Sequence, residues 1–229
     1  MNNVESRDVV ITAGSVFLEG MLAIPDDACG IVVFAHGSGS SRFSRRNQGV
    51  ARRLNEAGLA TLLFDLLSPD ENERDAVTAE HRFDIPLLAE RLIQAVDWLA
   101  RESGTRDFPV GLFGASTGAA AGLIAAAERP RQIRAVVSRG GRPDLAGEAL
   151  GRVDAPTLLI VGGADAPVIG LNEQAAAHLS CQHQLVIVPG ATHLFEEPGA
   201  LEQVSRLASD WFRRHFRSQM RLATAAGHG

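Results

Sequence analysis

Val110-Gly111-Leu112-Phe113-Gly114-Ala115-Ser116-Thr117-Gly118 is the stretch whose reading decides the fold. An apolar run, Val110 to Phe113, leads into Gly114-Ala115-Ser116-Thr117-Gly118, and an Ala-rich stretch from Ala119 to Ala127 follows. That order predicts strand, sharp turn and helix, with Ser116 at the apex. In a G-x-S-x-G turn the serine backbone is strained, and the two glycines let strand and helix approach without side-chain clash. The hydroxyl then stands clear of the sheet at the positive end of a helix. The plainer alternative is that Ser116 only N-caps the helix. The five-residue pattern alone arises by chance; the strand–turn–helix setting favours a nucleophile.

Outward from this turn, strand and helix patterns alternate. Strands are expected at Val9–Ile11, Val16–Ala23, Ile31–Ala35, Thr61–Leu66, Val110–Phe113, Ala135–Ser138, Thr157–Val161 and Gln184–Val188. From Ile31 onward they are continuous apolar runs, as when helices cover both faces. One helix starts at Asp84 and aligns Ile85, Leu88, Leu92, Val96 and Leu99. Another spans Arg45 to Ala57, capped by Ser44 and stopped by Gly58. The last runs from about Pro198 to Phe216, with Leu201, Val204, Leu207, Trp211 and Phe212 inward. The pattern implies an α/β fold, a mostly parallel, doubly wound sheet of about eight strands flanked by helices. A single domain is expected over residues 1–217, with 218–229 a frayed tail.

Bulk properties narrow the function classes. The 229 residues suit one α/β domain, and the 45% hydrophobic content supplies its core. With a net charge of −5, a pI of about 5.8 and no Lys/Arg-dense run, nucleic acid is not the expected partner. The N-terminus does not read as a signal peptide, and the apolar runs are strand-sized, so no membrane association is expected. Cys29 and Cys181 lack metal-type spacing, which fits a reducing cytoplasm and a site without metal or cofactor. The sequence leaves room for a homodimer.

A serine hydroxyl is a poor nucleophile at neutral pH. It needs a base, and the base needs a carboxylate to fix its tautomer. Downstream of Ser116, one strand runs into Gly162-Gly163-Ala164-Asp165 and the next into Pro189-Gly190-Ala191-Thr192-His193. Both loops lie beyond a strand's C-terminal end, where open α/β sheets bind ligands. Asp165 and His193 are therefore the expected acid and base. Asp165 could instead be an ordinary turn aspartate, and Asp144, after the preceding strand, is the rival acid. His193 could be a surface loop residue, but His178, His183, His215 and His228 fit the role less well. The oxyanion needs N–H donors, expected from Thr117 and, in the loop His36-Gly37-Ser38-Gly39-Ser40-Ser41, from Ser38. His36 reads as a structural residue of that loop.

His36-Gly37, the Ser116 turn, Asp165 and His193 together resemble the α/β-hydrolase superfamily. The small size and His36-Gly37-Ser38-Gly39-Ser40-Ser41-Arg42 resemble its dienelactone-hydrolase-like branch. Leu63-Phe64-Asp65-Leu66-Leu67, Ser138-Arg139-Gly140-Gly141-Arg142-Pro143-Asp144-Leu145 and Pro189 to Pro198 are similar to a bacterial group within that branch. Some members of that group are fused to a phosphoribosyltransferase domain, for which this chain has no room. Dienelactone hydrolases proper carry cysteine where this chain has Ser116, so the resemblance implies a serine esterase rather than lactone hydrolysis.

Only Arg139 to Ala155 lies between the strand ending at Ser138 and the next, enough for a short helix near Leu145–Leu150 but no lid domain. A shallow, open site without interfacial activation follows, suited to small or short-acyl esters. Arg42, Arg45, Arg46, Arg139 and Arg142 crowd the expected mouth. Most should pair with acids such as Asp65, Asp144 or Glu196; Arg42 and Arg139 are kept as substrate-contact candidates. The sequence reading is thus a serine hydrolase of small esters. Thioester, amide or lactone hydrolysis with the same triad, and a non-catalytic binding module, are the alternatives.

Overall fold

Continuous apolar runs become the central strands. A computed structural model describes residues 3–226, with side chains up to residue 217. Its strands are β1 (Val4–Ala13), β2 (Val16–Pro25), β3 (Ile31–Ala35), β4 (Ala60–Phe64), β5 (Val110–Ala115), β6 (Ile133–Arg139), β7 (Thr157–Gly162) and β8 (His183–Val188). They form one sheet in the order β1-β2-β4-β3-β5-β6-β7-β8. Every residue of β3, β4, β5 and β7 is buried, as two covered faces require. The pairs β1–β2 and β2–β4 are antiparallel; β4 through β8 run parallel. All eight expected strands are present, in the expected doubly wound α/β arrangement.

The helices are α1 (Arg45–Glu56), α2 (Pro69–Thr78), α3 (Ile85–Leu99), α4 (Thr117–Glu128), α5 (Ala166–Ala176) and α6 (Ala200–Ala226), with a 3₁₀ segment at Pro143–Arg152. Val50, Leu54, Val204, Trp211 and Phe212 pack α1 and α6 on one face of the sheet. Leu88, Leu92, Leu123 and Ala175 pack α3, α4 and α5 on the other. Ser44 caps α1 and Asp84 caps α3, accepting from Asn47 N at 3.4 Å and Leu87 N at 3.0 Å, where the sequence put both starts.

Several boundaries differ from expectation. β1 is ten residues long, because an edge strand with one covered face needs only Val9, Ile11 and Ala13 inward. β4 ends at Phe64: the Asp65 N–H still reaches the Glu19 carbonyl of β2, but the Leu66 N–H leaves the ladder for the His36 ring. His178, read as helical, lies just past the end of α5. α6 runs past Phe216 to Ala226, and residues 227–229 of the expected tail lie outside the described residues. Between β6 and β7 the chain makes only the 3₁₀ segment, so no lid domain is inserted there.

Chain order reverses at β3, whose neighbours are β4 on one side and β5 on the other. The loops leaving β3 and β5 therefore face each other across a crevice at the sheet's C-terminal edge, where α/β folds build sites.

Candidate active site

Ser116 sits at φ 50°, ψ −122°, a strained conformation for a residue with a side chain. Its N–H points to the Arg139 carbonyl at 3.4 Å, and its own carbonyl accepts from Arg142 N at 3.0 Å. β6 thereby braces the turn. The glycines are there for space: a Cβ on Gly114 would lie 2.4 Å from Ala119 Cα, and one on Gly118 would lie 2.2 Å from the Ala35 carbonyl oxygen. Ser116 occupies the N-cap position of α4, yet its side chain makes no capping hydrogen bond. The plain capping role is thus not the one the structure shows, and the hydroxyl makes no hydrogen bond among the described residues.

His193 Nδ1 and Asp165 Oδ2 are 2.7 Å apart. The two loops that carry them are tied together, Ala164 N donating to the Ala191 carbonyl at 2.9 Å and Gly163 N to the Val188 carbonyl at 2.8 Å. The bond fixes the proton on Nδ1 and leaves Nε2 as an acceptor. Phe195, 1% exposed, plugs the His193 loop into the core. Gly140, at φ +52°, lies against the ring: a Cβ there would be 3.1 Å from the His193 carbonyl oxygen and 3.6 Å from Nδ1. The rival acid, Asp144, is taken by Arg142, with contacts of 2.9 and 2.7 Å.

Ser116 and His193 line one cavity of about 250 Å³, together with Gly37, Ser38, Asn47 and Arg139. Of the two expected oxyanion donors, Thr117 N makes no hydrogen bond among the described residues. Ser38 N does: it donates to Thr117 Oγ1 at 3.0 Å. The side chain of one donor residue therefore holds the N–H of the other, a link invisible in the sequence.

His36 is structural. Leu66 N donates to its Nε2 at 3.1 Å, so Nδ1 carries the proton and donates to the Gly37 carbonyl at 2.9 Å. Burial pushes its pKa below the ordinary value, against the raising effects of the Gly37 bond and the Asp65 charge.

The arginines divide. Arg42 is held by Asp65 and Glu19, Arg142 by Asp144, and Arg46 by Glu196. Arg42, one of the two substrate-contact candidates, is thus committed to carboxylates. Arg139, the other, is 6% exposed and has no carboxylate partner among the described residues. Burial, then the like charge of Arg46, push its pKa down to about 10, so it remains cationic at neutral pH.

Residues 18–217 match the model of the dienelactone hydrolase family. The structure of a dienelactone hydrolase from Anabaena variabilis is 58% identical, covering 93% of this chain and 98% of its own, with a TM-score of 0.92. Est1E from Butyrivibrio proteoclasticus (17% identical, TM-score 0.76, 92% of this chain and 99% of its own) shares the fold. So does the dienelactone hydrolase-like promiscuous phosphotriesterase P91 from metagenomic libraries (20%, TM-score 0.74, 93% and 98%). Two Mycobacterium tuberculosis proteins that carry a phosphoribosyl transferase name are 59% identical over 209 residues, 91% of this chain and 46% of theirs. The chain spans about half the length of these curated relatives.

Proposed function

The chain belongs to the dienelactone hydrolase family, and from that premise we propose that it is a serine hydrolase cleaving small or short-acyl carboxylic esters through an acyl-enzyme. The observation that carries this reading is the Asp165–His193 pair at 2.7 Å, opening on the cavity that the uncapped Ser116 also lines.

Ser116 Oγ attacks the acyl carbonyl as His193 Nε2 takes its proton. Asp165 holds the Nδ1–H tautomer and stabilises the imidazolium as it forms. The N–H of Thr117 receives the developing oxyanion, and the N–H of Ser38 joins it by sharing or leaving Thr117 Oγ1. His193 then returns the proton to the departing alcohol. Water repeats the sequence on the acyl-enzyme, with His193 again the base.

The absence of an inserted lid between β6 and β7, and the small cavity, favour compact esters over triglycerides. The same groups serve thioesters, amides and lactones, which a side-by-side substrate panel separates.

The test is intact mass after treatment with a fluorophosphonate. Wild type is expected to gain a single adduct and Ser116→Ala none. Absence of an adduct on wild type would remove the nucleophile assignment and bring the binding-module alternative forward.

A further inference from the structure

The ester chemistry leaves one buried charge unused. Arg139 follows directly from the register of the sheet: its backbone pairs with Ala115, one residue before the nucleophile. Its side chain is 6% exposed and lines the same cavity as Ser116 and His193. It donates one hydrogen bond, from Nη2 to Asn47 Oδ1 at 3.3 Å, and its Nε has no partner. A guanidinium taken out of water without a counter-charge is costly, and such groups are ordinarily paired.

The wall beside it adds positive potential. Arg46 lines the cavity, its Nε also without a partner, while its Nη1 is shared with the exposed Glu196. Ser44, Arg46 and Asn47 are the N-cap and first turn of α1, which has no acidic residue in that turn. Ser38, Ser40 and Ser44 also line the same space, and no Asp or Glu does. One whole guanidinium, a second partly neutralised, and a helix N-terminus worth roughly half a charge exceed what a carboxylate would balance. A phosphate monoester, at about −1.5 to −2 near neutral pH, matches it, and its three oxygens use more of the donors than a carboxylate's two.

We propose that Arg139, Arg46 and the first turn of α1 hold a phosphate group carried by the substrate. This rests on the ester-hydrolase reading and names the class of ester: a small acyl ester of a phosphorylated alcohol. Asn47 steers Arg139, and the cavity of about 250 Å³ has room for the phosphate and a few carbon atoms beside Ser116.

The test compares acetate release from 2-acetoxyethyl phosphate, the neutral 2-hydroxyethyl acetate and 3-acetoxypropanoate, at constant ionic strength. The phosphate ester is expected to exceed the neutral one in kcat/KM by at least about tenfold, the worth of one or two charged hydrogen bonds. Inorganic phosphate should compete with the neutral ester. Arg139→Gln and Arg46→Gln should each shrink the phosphate-to-neutral ratio, and Arg139→Lys should retain part of it. Should Arg139→Gln fail to fold, Arg46→Gln and phosphate competition on wild type decide.

A ratio of one or below in wild type without competition by inorganic phosphate would overturn the proposal. So would a preference for the carboxylate ester over the phosphate ester. If the fluorophosphonate leaves Ser116 unmodified, the ester reading fails by itself. A melting temperature raised by inorganic phosphate in wild type but not in Arg46→Gln would then still support the anion wall, and no rise would overturn it.

Discussion

Gly140→Ala separates the backbone cost of the site from its geometry. Gly140 is at φ +52°, and so is Gly147 in the 3₁₀ segment. An alanine in either place pays for a positive φ, about 1–3 kcal/mol; at Gly147 the ψ of −130° lies outside the left-handed helical well. Around Gly147 nothing lies within 4 Å of the added methyl, so the penalty is the whole effect. At Gly140 the methyl meets the His193 carbonyl at 3.1 Å and approaches Nδ1 at 3.6 Å, so the His193 loop must give by a few tenths of an ångström. A 1 Å misplacement costs about 10²-fold in rate, so a shift of this size should cost on the order of threefold to tenfold in kcat. In urea titrations and thermal melts both variants should lose stability, by about 2–12 °C in Tm for a domain of this size. Only Gly140→Ala should lose kcat on a neutral acetyl ester. Equal kcat for Gly140→Ala and wild type, with Gly147→Ala equally stable, would refute the claim that Gly140 exists to seat His193.

The remaining predictions follow from single contacts. Asp165→Asn should lower kcat by about 10⁴-fold, as loss of the tautomer-fixing carboxylate does in serine triads, while Asp144→Asn should leave steady-state kinetics close to wild type. Thr117→Val removes the acceptor that holds Ser38 N and should reduce kcat/KM by about 2- to 10-fold, with Thr117→Ser rescuing; a rise in kcat would instead mean that the hydroxyl competes with the oxyanion for that N–H. His36 has a lowered pKa in the folded chain, so the unfolded chain binds its proton first as pH falls. Stability should therefore drop as pH falls below about 6.5, the ordinary histidine value. His215, also lowered by burial, contributes in the same window. Melting curves from pH 7.5 to 5.5 should show a smaller acid loss for His36→Gln than for wild type, and identical slopes would remove His36 from the account.

Much of the site is written locally, and the structure differs where distance in sequence intervenes. The Ser116 turn, Asp165 and His193 are each a strand end followed by a short loop, and apolar runs locate strand ends well. The pairing acids were legible too: Asp65, Asp144 and Glu196 each hold an arginine of the mouth. That Arg139 is left over was not, because it depends on which acids reach across loops. Helix α2 escaped because Asp75 is its only buried residue and it has no apolar stripe. Its signal was the capping box, Ser68 with Glu71 and Pro69 between, which fixes a start without a hydrophobic period. The Ser38–Thr117 bond joins residues 79 apart and leaves no local trace.

Helix α4 follows the Ser116 turn with eight alanines and glycines among its twelve residues, and Ala119, Ala120, Ala121, Ala125 and Ala126 are fully buried. Such side chains have no rotamers to lose on folding, so ordering these positions costs backbone entropy alone. The same poverty of torsions leaves heat few side-chain rotamers to excite behind Ser116. Warming should leave the turn unchanged until the sheet and its helices come apart together, so that loss of activity and loss of fold share one transition.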